Sequence, residues 1–141
     1  MQIIYNLPHV FNGSSHVEDA YALRALLDCL VRLNLAFLRN HPVQNLYRSG
    51  VIYGRTTWWE PIPALYRRKY GDCKSLSAAL IAEYVINGIE AKPVFRFNPR
   101  GDAKDFHILV QTMNGFEDPS KRLGMGKNEC AKFTSKTPLR Y

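Results

Sequence analysis

Apolar residues at Ala20, Leu23, Leu27, Leu30, Val31, Leu35 and Leu38 recur at steps of three and four, the spacing that lines one face of a helix. Ser15-His16-Val17-Glu18 stands before them as a capping box and Asn40-His41-Pro42 after them, so the pattern predicts a helix from about Val17 to about Leu38. Ahead of it, residues 1 to 13 read as a short extended entry closed by Pro8 and Asn12-Gly13. From Pro42 to Lys69 the periodicity is lost. Tyr47, Tyr53, Trp58, Trp59 and Tyr66 are scattered between Gly50, Gly54, Pro61 and Pro63, as in a loop-rich layer over a core or the wall of a pocket. A short helix from about Pro63 to Lys69 closes this stretch. Cys73 to about Ile86 is then apolar on nearly every side, which predicts a central buried helix ended by Asn87-Gly88. Beyond it the period shortens to two. Ala91 to Phe97 and Asp105 to Gln111 read as strands joined by a loop from Asn98 to Lys104, and Phe116 to Asp118 as a third, stopped by Pro119. Past Ser120 the chain is too polar and irregular to predict an element.

The helix at Cys73 is expected to cover the sheet formed by these strands. The 141 residues suit a single domain, 1–141, with a core from about 15 to 120 and a basic tail from 121 to 141. A hydrophobic share of 46% and no apolar run of membrane-spanning length point to a soluble protein without a membrane partner. The first residues lack a basic region ahead of an apolar core, so a cytoplasmic location is expected. Cys29, Cys73 and Cys130 match neither a metal knuckle nor a disulfide framework, which fits free thiols, no bound metal and no cofactor. Cys29 is expected in the core. The net charge is +7, and six of the 19 basic residues follow Ser120, opposed only by Glu129. Such a tail is a footprint for nucleic acid or simply a solvated end, and no nucleic-acid-binding motif accompanies it.

The chemistry gathers at Tyr70-Gly71-Asp72-Cys73-Lys74-Ser75. Gly71 permits a left-handed or strained backbone, and Asp72 suits an N-cap whose carboxylate takes the Ser75 N–H. Cys73 then opens the helix, where unpaired N–H groups and the helix dipole favour a thiolate. The bland alternative is a small buried residue under a helix start.

A cysteine nucleophile needs a base and the base needs an orienting group. Of the four histidines, only His107 lies in a predicted strand, while His16 and His41 flank the ends of the first helix. Asp118 follows on the next strand, where its carboxylate can take the second imidazole N–H. Asn114-Gly115 as a two-residue turn sets His107 and Asp118 four residues out of register. A four-residue loop, Gln111 to Asn114, pairs Val110 with Gly115 and places His107 opposite Asp118. The triad therefore predicts the longer loop.

Gly71-Asp72-Cys73 at a helix start, His107 opening a strand and Asp118-Pro119-Ser120 after a hairpin resemble the transglutaminase-like superfamily of papain-fold cysteine enzymes. The likeness covers roughly residues 58 to 120, and Trp58-Trp59-Glu60-Pro61 particularly resembles the bacterial transglutaminase-like cysteine proteases. It implies an α+β fold with a papain/transglutaminase-like core, the helix at Cys73 packed on a small antiparallel sheet, and a Cys73-His107-Asp118 triad acting on a peptide, isopeptide or glutamine amide. It also suggests a protein or peptide substrate and a bacterial or phage source. Lys74 and Ser75 stand where a calcium-dependent branch carries acidic residues, so calcium is not expected. Trp59, Trp58 and Tyr66 are candidates for a second oxyanion donor or pocket wall, the alternative for each being plain aromatic packing. Arg67 and Arg68 are candidates for favouring an acidic substrate. A non-catalytic binding or assembly protein of the same fold, and a basic nucleic-acid-binding domain with a structural Cys73, are the competing readings.

Overall fold

The computed structural model describes residues 1–8, 14–97 and 106–126. The loop from 98 to 104, Asp105, the Asn12-Gly13 turn, Cys130 and the tail from 127 onward lie outside the described residues. The first helix, α1, spans His16–Asn40, two residues longer at its C-terminal end than the apolar pattern predicts. Ser15 is its N-cap, accepting the Glu18 N–H at 3.2 Å, while its hydroxyl donates to the Glu18 carboxylate at 3.3 Å. Asp19, Leu23, Leu27, Leu30 and Asn34 face the interior. Cys29 falls between those positions and is exposed, correcting its expected place in the core.

The aromatic stretch holds more order than its sequence predicts. A 3-10 turn at Leu46–Arg48 leads to β1, Ile52–Tyr53, and α2 occupies Ile62–Arg68. After α2, β2 at Tyr70–Gly71 pairs in parallel with β1, Ile52 facing Tyr70 and Tyr53 facing Gly71. Gly71 is needed for space rather than for a left-handed backbone, since its φ is not positive. A Cβ there would stand 2.6 Å from Leu65 Cδ1. The N-terminus of α2 is closed from a distance: Pro61 has no side chain to cap it, and the buried Asn34 of α1 accepts the Ile62 N–H at 2.7 Å.

The central helix, α3, spans Cys73–Ile86 as predicted, with ten consecutive buried residues from Cys73 to Ala82. A helix buried on all sides for almost three turns has no solvent face, which explains its lack of amphipathic pattern. It packs against α1 and against a three-stranded antiparallel sheet of β3 (Lys92–Phe97), β4 (Phe106–Thr112) and β5 (Gly115–Glu117), in that order. Pro93 faces Val110 on β3, an edge strand, where its missing N–H costs no ladder bond.

The β4–β5 register pairs Thr112 with Gly115, Gln111 with Phe116 and Val110 with Glu117. The loop is therefore Met113-Asn114, two residues, and the predicted four-residue loop is incorrect. Gly115 leaves it with φ of 114°, a conformation that suits glycine. Pro119 does not merely stop β5: it is the first residue of α4, Pro119–Arg122. The core also continues past Ser120, because Met125 is buried with it and Leu123 packs on it and accepts the Tyr53 N–H at 2.9 Å. Residues 121–126 thus belong to the folded body rather than to a solvated tail. The mixed α and β architecture agrees with the predicted fold class. Among the described residues, no helix is long and apolar enough to cross a membrane.

Candidate active site

Strand β4 is the middle of its sheet, and its hydrogen-bonding directions explain where the thiol sits. In a two-residue hairpin the flanking residues exchange ladder bonds, so Thr112, Val110 and Ile108 all turn their N–H and C=O groups toward the β5 side. Strand β5 ends at Glu117, opposite Val110, and leaves Ile108, paired with Phe95 on β3, without a strand partner on the β5 side. Helix α3 takes its place. The Ser77 hydroxyl donates to the Ile108 carbonyl at 3.2 Å, and one helical turn earlier the Cys73 thiol lies near enough to the Ile108 N–H for that group to favour its ionised form. The first two turns of α3 thus lie along β4 where β5 stops, with the start of the helix beside the residue next to His107.

His107 and Asp118 are joined directly, Nε2 to Oδ2 at 2.9 Å. The register explains how this occurs without the longer loop. Continued past Glu117, it sets Asp118 opposite Leu109, on the same face as His107 and one diagonal step from it, a distance that longer side chains cover. Asp118 is also the N-cap of α4, its Oδ1 accepting the Lys121 N–H at 3.2 Å. Burial works to raise the Asp118 carboxyl, but the bond to His107, its charge and the Lys121 N–H outweigh burial and hold it below the usual value. Asp118 engages Nε2, so a thiol that uses this ring as its base does so through Nδ1.

The thiol does not follow the expectation of a helix-start thiolate. Cys73 is only 4% exposed, and its pKa is pushed up to about 12, first by burial and then by the neighbouring Asp72 charge, against Lys74 and the Ile108 N–H. Its resting form is the neutral thiol. Asp72 does cap α3, but through the Lys74 N–H at 3.2 Å rather than that of Ser75. The side chains around Cys73 clamp the segment that covers this helix end. The Lys74 ammonium is paired with the Asp72 carboxylate and donates to the Thr56 carbonyl at 3.1 Å. The Ser75 hydroxyl accepts the Glu60 N–H at 3.0 Å and donates to the Trp58 carbonyl at 3.4 Å. Lys74 and Ser75 are therefore site-building residues. Nothing in their sequence pattern marks them, because their partners lie fifteen to eighteen residues away.

The aromatic and basic candidates separate. Trp59 is half-buried on the core with the Lys74 ammonium 5.8 Å from its ring, and Trp58 is 52% exposed on the same clamped segment. Tyr66 points elsewhere: its hydroxyl donates to the Gln44 carbonyl at 2.9 Å, and its charged neighbour is Glu83, about 15 Å of helix beyond Cys73. It is not an oxyanion donor in this arrangement. Arg68 is answered by Glu60 at 2.5 Å and lies over the Tyr70 ring, so its charge is not held for a substrate, whereas Arg67 is exposed at the end of α2. Among the described residues, no group of three or more His, Cys, Asp or Glu side chains is placed to hold a metal ion.

No family model, curated protein or solved structure matches this chain.

Proposed function

We propose that this protein is a cysteine hydrolase or acyltransferase acting on an amide, with a papain/transglutaminase-like core and a triad of Cys73, His107 and Asp118. The observation that carries the reading is the His107–Asp118 bond on the strand whose next residue, Ile108, is bound by Ser77 one helical turn after Cys73. A neutral resting thiol requires His107 to act as general base when a substrate arrives. The proton passes from sulfur to Nδ1, sulfur bonds to the carbonyl carbon, and Asp118 stabilises the resulting imidazolium through Nε2. The carbon–nitrogen bond then breaks as His107 returns the proton to the leaving amine. Water or a second amine attacks the thioester, loses its proton to His107, and releases the thiol. The Cys73 backbone N–H is suited to hold the oxyanion, because the first residue of a helix has no intrahelical acceptor and Asp72 caps Lys74 instead. Such a donor contributes about 3 kcal/mol to the transition state. The expected substrate is a protein or peptide.

The burial of Cys73 within the hydrophobic core favours a second reading, a binding or assembly protein in which the cysteine is structural. Labelling with chloroacetamide at pH 7, in a background with Cys29 and Cys130 replaced by serine, separates the two. The catalytic reading expects labelling of the native protein that disappears in Cys73→Ala and slows about a hundredfold in His107→Ala. Labelling indifferent to His107, or none in the native protein, establishes the structural role.

A further inference from the structure

Strand β5 is three residues long and buries no side chain: Gly115 has none, Phe116 is 60% exposed, and Glu117 lies at the margin. Hydrophobic burial therefore cannot hold the end of this strand, and a strand this short is marginal on its ladder alone. Its end is held by the Glu117 side chain. The Tyr84 hydroxyl donates to Glu117 Oε1 at 2.6 Å, and the Tyr47 hydroxyl donates to Oε2. Burial and the Glu117 charge push both phenols above their ordinary value, Tyr84 to about 12, so both remain donors. Tyr47 also meets the chain on the far side of Asp118, with the Arg122 guanidinium of α4 standing 4.0 Å over its ring. The residues before and after Asp118 are thus tied to one anchor built from the turn at Leu46–Arg48 and the far end of α3.

We infer that Glu117, clasped by Tyr47 and Tyr84, is a positioning residue that sets the Asp118 carboxylate against His107 and so selects the imidazole tautomer used by Cys73. This rests on the catalytic reading for its consequence, but the geometry it concerns is measurable without any reaction. Asp118 is the single residue between β5 and α4, and its two oxygens serve different partners, His107 and the Lys121 N–H. A carboxylate divided in this way holds its aim only while the backbone on both sides is held.

The test is the ring nitrogen spectrum of His107 at alkaline pH, where an ordinary imidazole is neutral. The native protein should show the proton on Nε2. Glu117→Ala should raise the share of the Nδ1–H form several-fold, and Tyr47→Phe combined with Tyr84→Phe, which keeps the carboxylate and the ring packing, should do the same. Glu117→Gln, which still accepts a phenol, should restore much of the native spectrum. Leu30→Ala, chosen to lower stability from the opposite side of the core, should leave the tautomer unchanged. Where Cys73 labels, its rate should fall about tenfold to a hundredfold in the Glu117→Ala and double phenylalanine variants. A native tautomer in both variants overturns this inference, as does an equal change in Leu30→Ala. A native protein whose Cys73 never labels overturns only the catalytic reading, because the tautomer is read independently.

Discussion

At the scale of single residues, Cys73 shows how two influences on one group are weighed. A helix start favours the thiolate, yet complete enclosure and the adjacent Asp72 charge favour the thiol, and they prevail, lifting the pKa to about 12. The consequence for stability has a definite sign. The folded value lies above that of an unfolded cysteine, about 8.5, so ionisation opposes the fold. The neutral thiol's contribution is fully present below pH of about 8.5 and is lost as pH rises from there toward 12. Urea unfolding of the native protein and of Cys73→Ala at several pH values checks this: the stability difference between them should be largest at neutral pH and shrink steadily above about 8.5. A difference independent of pH would show that the thiol ionises as freely in the folded chain as in the unfolded one.

The elements were legible where short-range chemistry determines them. The capping box at Ser15, the N-cap at Asp72 and the stop at Asn87-Gly88 placed both long helices within a few residues, because each signal and its effect lie within one helical turn. The hairpin register was not legible. Asn114-Gly115 and a longer loop were the two alternatives, and the chain takes Met113-Asn114, since the register depends on how Glu117 meets Tyr47 and Tyr84, 70 and 33 residues away. The pairing of β1 with β2 was hidden for the same reason: two residues in each strand carry no periodicity. The diagonal placement of His107 and Asp118 was absent from both sequence alternatives, although every register considered keeps the two on one face. Another long-range dependency supplies an element-scale prediction. Because Asn34 of α1 caps α2 in place of Pro61, Asn34→Ala should leave a buried N–H without an acceptor and lower stability by about 1–3 kcal/mol. Asn34→Asp keeps the acceptor and should be milder on the cap itself, with the difference read from denaturant midpoints at constant slope.

For the whole molecule, one core runs from Leu27 and Leu30 of α1 through α3 and β4 to Met125, and the three residues of the proposed triad are set around it by three different elements. Cys73 belongs to that core, so a reagent reaches it either when the entire fold opens or when only the clamped segment over the start of α3 lifts. The two routes respond differently to substitution. Leu27→Ala removes a fully buried side chain at the α1–α3 seam and should cost about 2–5 kcal/mol of global stability. If Cys73 is exposed only by global unfolding, its labelling should then accelerate by the whole corresponding factor, at least about thirtyfold. Ser75→Ala instead removes the hydroxyl that binds Glu60 and Trp58, loosening the segment directly. An enzyme must admit substrate without unfolding. On the proposed catalytic reading, native labelling should exceed the rate set by global stability, remain nearly unchanged in Leu27→Ala, and rise in Ser75→Ala by more than that variant's loss of stability accounts for. Labelling that tracks global stability in both variants would mean that the thiol is sealed in the folded state, and the triad geometry would then serve packing rather than catalysis.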